Sequence, residues 1–229
     1  YTTLFRSLPI IFGLMINGLF NFVDAIFISR AVGTDAIGGV SAAFPIQMIM
    51  ISISAMLGSG MASIISRLLG ANQDEKASKV FSASLVLAAV IGLILSIIIV
   101  FFRYEIFSLL QLPEVLIPYA VDYLMPIAAI GVISFSHGSM SEGLRAQGHN
   151  IQEFKLMASM ALLNIALDAL FLFVFGWGVP GAAWATALSI TFAFFYAIYL
   201  LKTGNHRVSF SLEHFRLISG VHKEAVALG

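Results

Sequence analysis

The sequence of 229 residues has no cysteine and very little charge. Without cysteine there is no disulfide, no thiolate metal site and no thiol nucleophile. Asp, Glu, Lys and Arg make up 10% of the chain, where a soluble domain carries about 25%. Formal net charge is zero, so no overall field draws the chain to nucleic acid or to acidic partners. Alternation of polar and apolar residues is missing as well, so a transmembrane β-barrel is not supported. No glycine loop follows a strand to cradle phosphate, no zinc-ligand spacing occurs, and no G-x-S-x-G elbow is present. Nothing here points to an enzyme.

What fills the chain is hydrocarbon. Hydrophobic residues are 59% of the total and the mean hydropathy is +0.97, the composition of a membrane protein. Charges cut the apolar runs apart. Residues 7–29 hold only Asp24, and residues 36–66, 80–102 and 123–141 hold no charge. Residues 156–201 hold only Asp168 and are broken by "GWGVPG" at 176–181, a Gly/Pro turn. Since a hydrocarbon core needs about 20 residues of helix, the sequence predicts an all-α, six-helix transmembrane bundle. Its spans run over about 7–30, 40–66, 80–102, 119–141, 156–175 and 182–201. Residues 1–202 make one lobe, and 203–229 read as a cytoplasmic linker.

Ten of the twelve Lys and Arg residues lie before the first span, in 67–79, in 142–155 and after 201. The positive-inside rule then puts both ends of this chain in the cytoplasm, as a multi-pass protein of the plasma (inner) membrane. The chain opens on Tyr1 rather than Met, and "HKEAVALG" at its end starts a further apolar pattern. A native start lost at one end and a seventh helix at the other are the expectation.

Within this oil a few polar groups share one depth. At ~1.5 Å per residue, Asp24, Asp168, Thr186 and Tyr123 each lie about 6–10 Å inside the outer boundary, with Asn164 a turn deeper than Asp168. Asn17, Asn21 and Asp24 follow i, i+4, i+7 spacing, and Asn164 and Asp168 are i, i+4, so each set forms one stripe. Lipid satisfies none of them, which turns them toward the bundle interior or a water-filled cavity. Singly, Asn, Thr and Tyr in such helices are packing glue. Two carboxylates with no Lys or Arg at their depth are different: they are there to hold and release a proton or to take a cation. His137, near the inner end of the fourth span, reads as packing. Pro9, Pro45 and "GSG" at 58–60 are breaks of the kind transporters use as hinges.

Five stretches in order resemble the MATE family, the multidrug and toxic compound extrusion transporters. They are "LFNFVDAIFISR" at 19–30, "GSGMASIISRLLGANQDEKA" at 58–77, "EGLRAQGHN" at 142–150, "LNIALDALFLF" at 163–173 and "GVPGAAWATALS" at 178–189. The likeness covers nearly the whole chain, in the prokaryotic, DinF-like branch. It implies the N-terminal lobe of a twelve-helix protein, with the linker leading to a missing C-terminal lobe of the same polypeptide. The function it implies is H⁺- or Na⁺-coupled efflux of organic, often cationic, drugs, with no cofactor beyond the coupling ion.

By the same resemblance Asp24, Asp168, Asn164 and Thr186 match the ion-binding network, where Na⁺ would sit. Tyr123 matches a cavity tyrosine, with Asn17, Asn21 and Phe20 also lining the cavity, and Pro9 matches the proline at which the first helix bends. Phe20 stands where members often have Tyr, and His149 where the loop commonly has Asp. Alternatives from the sequence are a lipid-linked oligosaccharide flippase of the same superfamily and a half-size membrane subunit that dimerises. A flippase would want several Lys or Arg inside the spans to hold pyrophosphate, and none is there. An intramembrane aspartyl protease would want a G-x-G-D pattern, which is absent.

Overall fold

The computed structural model describes residue 15, residues 22–23, 25–204 and 206–210, with residues 34 and 35 described by backbone alone. The described residues are helical throughout their regular structure. A stretch α1 covers residues 25–32 and ends at Gly33, whose φ of 106° is open to glycine and strained for other residues. There follow α2 (Thr34–Gly70), α3 (Asp74–Phe101), a short α4 (Arg103–Leu109), α5 (Ile117–Ala129), α6 (Gly131–Ala146), α7 (Asn150–Asp168), a π-helical turn (Ala169–Val174) and α8 (Val179–Thr203).

Four of these, α2, α3, α7 with its π-turn and α8, are long and apolar enough to cross a bilayer, and α5 with α6 makes a fifth, broken crossing. Most of the stretch 7–30 lies outside the described residues. α2 begins at Thr34, earlier than a span cut from 40, and at 37 residues is ~55 Å long. The short α4 had no counterpart in the span reading.

The fourth span departs most from its sequence reading. Instead of one helix over 119–141 there are two, meeting at Ile130 with a bend of 61°. Pro126 inside α5 removes one N–H from the helical ladder, the usual origin of a kink. Gly131 then lets the start of α6 press onto α3. A Cβ on Gly131 would fall on Ser96 Oγ, and one on Gly92 would stand 2.6 Å from the Gly131 carbonyl oxygen. Hydropathy runs unbroken through this bend, so composition alone reads straight across it.

α6 packs against α2, α3 and α8, α7 pairs with α8, and α5 fits between α2 and α8. α8 shows how the helices meet. Its buried residues are small (Gly181, Ala182, Ala183, Ala185, Thr186, Ser189, Ala193, Ala197), apart from Val179 at its start. Trp184, Leu188, Phe192, Phe195 and Tyr199, spaced by three or four, point outward. Helices already bathed in hydrocarbon gain little from burying more of it, so close backbone approach over small residues holds them together.

Candidate functional site

Asp168 is the last residue of α7 and the hinge into the π-turn. Asn164 lies one turn before it, on the same face by its i, i+4 spacing. Both side chains turn inward against α8, and relative exposure is 0% for Asp168, 1% for Asn164 and 4% for Thr186. Asp168 and Thr186, read from sequence as sharing a layer, and Asn164, read a turn deeper, thus come together inside the lobe.

The Asn164 amide sits between two neighbours of opposite need. Turned one way, its Nδ2 donates to Asp168 Oδ2 at 2.8 Å while its Oδ1 accepts from the Thr186 backbone N–H at 3.2 Å and the Thr186 hydroxyl at 3.3 Å. Turned the other way, the Nδ2 donates to Thr186 Oγ1 at 3.3 Å and the amide oxygen faces the carboxylate. The first orientation suits an ionised Asp168, which only accepts. Ser189, a turn further along α8, donates its hydroxyl to the Thr186 carbonyl at 2.9 Å and ties the network back to its own helix. Ser189 was not singled out in the sequence, although its place three residues after Thr186 was the available signal.

A π-turn follows directly on Asp168. A wide backbone bond closes it, from the Phe175 N–H to Leu170 O (3.0 Å), and in the loop beyond the Trp177 N–H donates to Phe171 O (2.9 Å). π-turns inside α-helices recur at functional sites. Above it, the rings of Phe171, Phe175 and Trp177 cluster at centroid distances of 4.7–6.0 Å. Gly181 allows α8 to start against this cluster: a Cβ there would meet Trp177 Cβ at 3.1 Å and Phe171 Cβ at 3.2 Å. No sequence period distinguishes such a turn from the α-helix it interrupts.

Tyr123, on α5, is buried in the core with its ring 6.4 Å from that of Phe44. Asp24, Asn17, Asn21, Phe20 and Pro9 lie outside the described residues. His137 on α6 keeps its Nε2 buried without a hydrogen-bond partner. At the opposite end of the helices from the π-turn, Arg145 bridges Glu142 (3.3 Å) and the buried Glu153 (3.1 Å), joining α6 to α7.

Chemically, the described site offers a carboxylate, an amide oxygen and a hydroxyl, a set of hard oxygen donors. Among the described residues no three of His, Asp, Glu and Cys gather. One carboxylate with neutral oxygens suits a proton or a monovalent cation better than a transition metal.

The MatE family model matches residues 9–170. The chain is 30% identical over 198 residues to a probable multidrug resistance protein, YpnP, of Bacillus subtilis, covering 86% of this chain and 44% of that protein. It is 29% identical over 223 residues to a FAD transporter of Shewanella oneidensis, covering 92% and 48%. Its fold superposes on a crystal structure of MATE in the straight conformation with a TM-score of 0.93 at 28% identity, over 99% of this chain and 50% of that one. The chain spans about half the length of the curated relatives it matches.

Proposed function

The chain belongs to the MatE family, a family of membrane transporters, and on that footing we propose that it forms the first six-helix lobe of an ion-coupled exporter. In this reading residues 1–202 are the lobe, residues 203–229 lead toward a second lobe, and both ends face the cytoplasm. Entry of H⁺ or Na⁺ through the site at Asp168 drives a small organic molecule outward. Relatives carry names for drugs and for FAD, so the cargo is assigned as a class and not as one compound.

The observation that carries this reading is the buried triad Asp168, Asn164 and Thr186, which joins α7 to α8 through one reversible amide. With Asp168 ionised, Asn164 donates to it and accepts from Thr186. A proton on Asp168 Oδ2 turns that oxygen into a donor, and the amide must offer its oxygen instead. Its Nδ2 then faces Thr186, where the hydroxyl accepts but the backbone N–H cannot. Loading Asp168 thus rewrites the hydrogen bonding between two helices. A Na⁺ ion held by Asp168 Oδ2, Asn164 Oδ1 and the Thr186 hydroxyl would reorient the same amide. Asp24, on the first helix, is the second carboxylate of this site by the resemblance. Coupling requires that the two states of the transporter bind the ion unequally, since equal affinity shifts nothing.

The test is efflux by the complete gene product in proteoliposomes, with H⁺ and Na⁺ gradients imposed separately. Asp168→Asn is expected to abolish transport under whichever gradient drives the parent protein, with insertion unchanged. Full gradient-driven efflux by the Asn variant would remove Asp168 from the mechanism.

A further inference from the structure

After α8 the chain turns back across the ends of the bundle. Arg207 donates from Nη2 to Asp74 Oδ1 (2.6 Å) and from Nε to Asp74 Oδ2 (3.0 Å), with a further bond from Nη2 to Asn72 Oδ1 (3.2 Å). The Val208 N–H donates to Gln147 Oε1 (3.1 Å), and the Ser209 N–H to Ser78 Oγ (3.1 Å). Val208 itself, 1% exposed, is buried among Met61, Ile65 and Leu69 of α2 and Val80 and Phe81 of α3. Three residues, Arg207, Val208 and Ser209, therefore reach α2, α3 and the α6–α7 loop.

The neighbouring His206 completes the attachment in a way that depends on its proton. Its Nε2–H donates to Leu200 O (2.9 Å), while its Nδ1 is buried with no hydrogen-bond partner. Its ring stands edge-on to His149, the N-cap of α7, at 4.5 Å between centroids and 72° between planes. A proton added at Nδ1 would create a buried N–H⁺ with nothing to accept it. A proton on both rings would set like charges in contact. Among the described residues neither ring meets a carboxylate: Asp74 of α3 is held by Arg207, and Glu142 and Glu153 of α6 and α7 by Arg145. The remaining charges around this end are Arg67 of α2, Lys76 and Lys79 of α3, Glu75, which pairs with Lys79, Lys155 of α7 and Lys202 of α8.

We propose that residues 206–209 form a strap that pins the ends of α2, α3, α6, α7 and α8 while His149 and His206 are neutral, and that lifts when His206 takes a proton. The device stands apart from the ion site and does not require the exporter reading. Burial first, and then the nearby His206, hold the His149 imidazole below its ordinary range, the direction that favours the neutral, strapped form.

The chain contains no cysteine, so Val208→Cys places a single thiol under the strap. The readout is maleimide labelling of that thiol in the detergent-solubilised chain, divided by the rate of glutathione at the same pH. The ratio is expected to rise roughly tenfold between about pH 7.5 and 5.5. Adding His206→Gln keeps a donor for Leu200 O without an imidazole, and the ratio should stay low at both values. Adding Gly204→Ala should raise it at both, because a Cβ there would fall on the His206 ring, which Gly204 now admits. A ratio that ignores pH with His206 intact, or one that still climbs in acid with Gln at 206, overturns the proposal.

Discussion

Asn164 makes its neighbours interdependent, because one planar amide cannot satisfy Thr186 and Asp168 in two ways at once. Asn164→Leu removes the partner of both. Gradient-driven efflux by the complete protein is expected to fall by roughly tenfold or more, the factor that about 1.4 kcal/mol represents. Thr186→Ala leaves the amide and the backbone N–H in place. It is expected to cost only about 0.6–2 kcal/mol of stability, read as an earlier thermal transition in detergent. At this scale much was legible: Asp168 and the threonine across the turn could be placed in one layer, with Asn164 a turn deeper on the same stripe as Asp168, by counting along helices. The turn of the Asn164 amide could not, because it follows from distances that only the packed helices define.

Two elements carry breaks that hydropathy does not see. The bend at Ile130 and the π-turn after Asp168 both interrupt runs that read as unbroken apolar helix. Pro126 and Gly131 were visible in the sequence, yet neither says by itself that α6 will lie against Gly92 and Ser96. The contact can be tested against a neutral control. Gly131→Val forces side chain into backbone at that crossing and should destabilise the lobe by about 1–3 kcal/mol. Gly70, at the end of α2, has open space where a Cβ would go, and Gly70→Ala should change stability by less than about 0.5 kcal/mol. Thermal unfolding of the two variants in detergent, side by side, checks both expectations. Equal effects would mean that the bend is not held by this approach.

Over the whole molecule, acidity is expected to loosen the end of the bundle that carries the strap. The His149 imidazole lies below its ordinary range when folded, mainly through burial. The unfolded chain therefore binds its proton more readily, and stability falls as pH drops through about 6.5, the free value, toward the folded one. The slope of melting temperature against pH in that window should flatten in His149→Gln. A slope unchanged by the substitution would place the sensitivity elsewhere. None of this was legible in the sequence, since Arg207 meets Asp74 and Val208 meets Gln147 across separations of 133 and 61 residues. What could be read was the charge: the same loops hold most of the Lys and Arg and mark a common side.

The division of labour on α8 reaches further than its packing. Its neighbours touch alanine, glycine, serine and threonine, while its bulky aromatic and aliphatic groups face away from them. The lettering that tells this helix which medium surrounds it is thus separate from the lettering that tells it where to sit. Replacing Trp184, Leu188, Phe192, Phe195 and Tyr199 by hydrophilic residues would rewrite the first message and leave the second intact, so α8 is a natural starting place for a version of this lobe that dissolves without detergent.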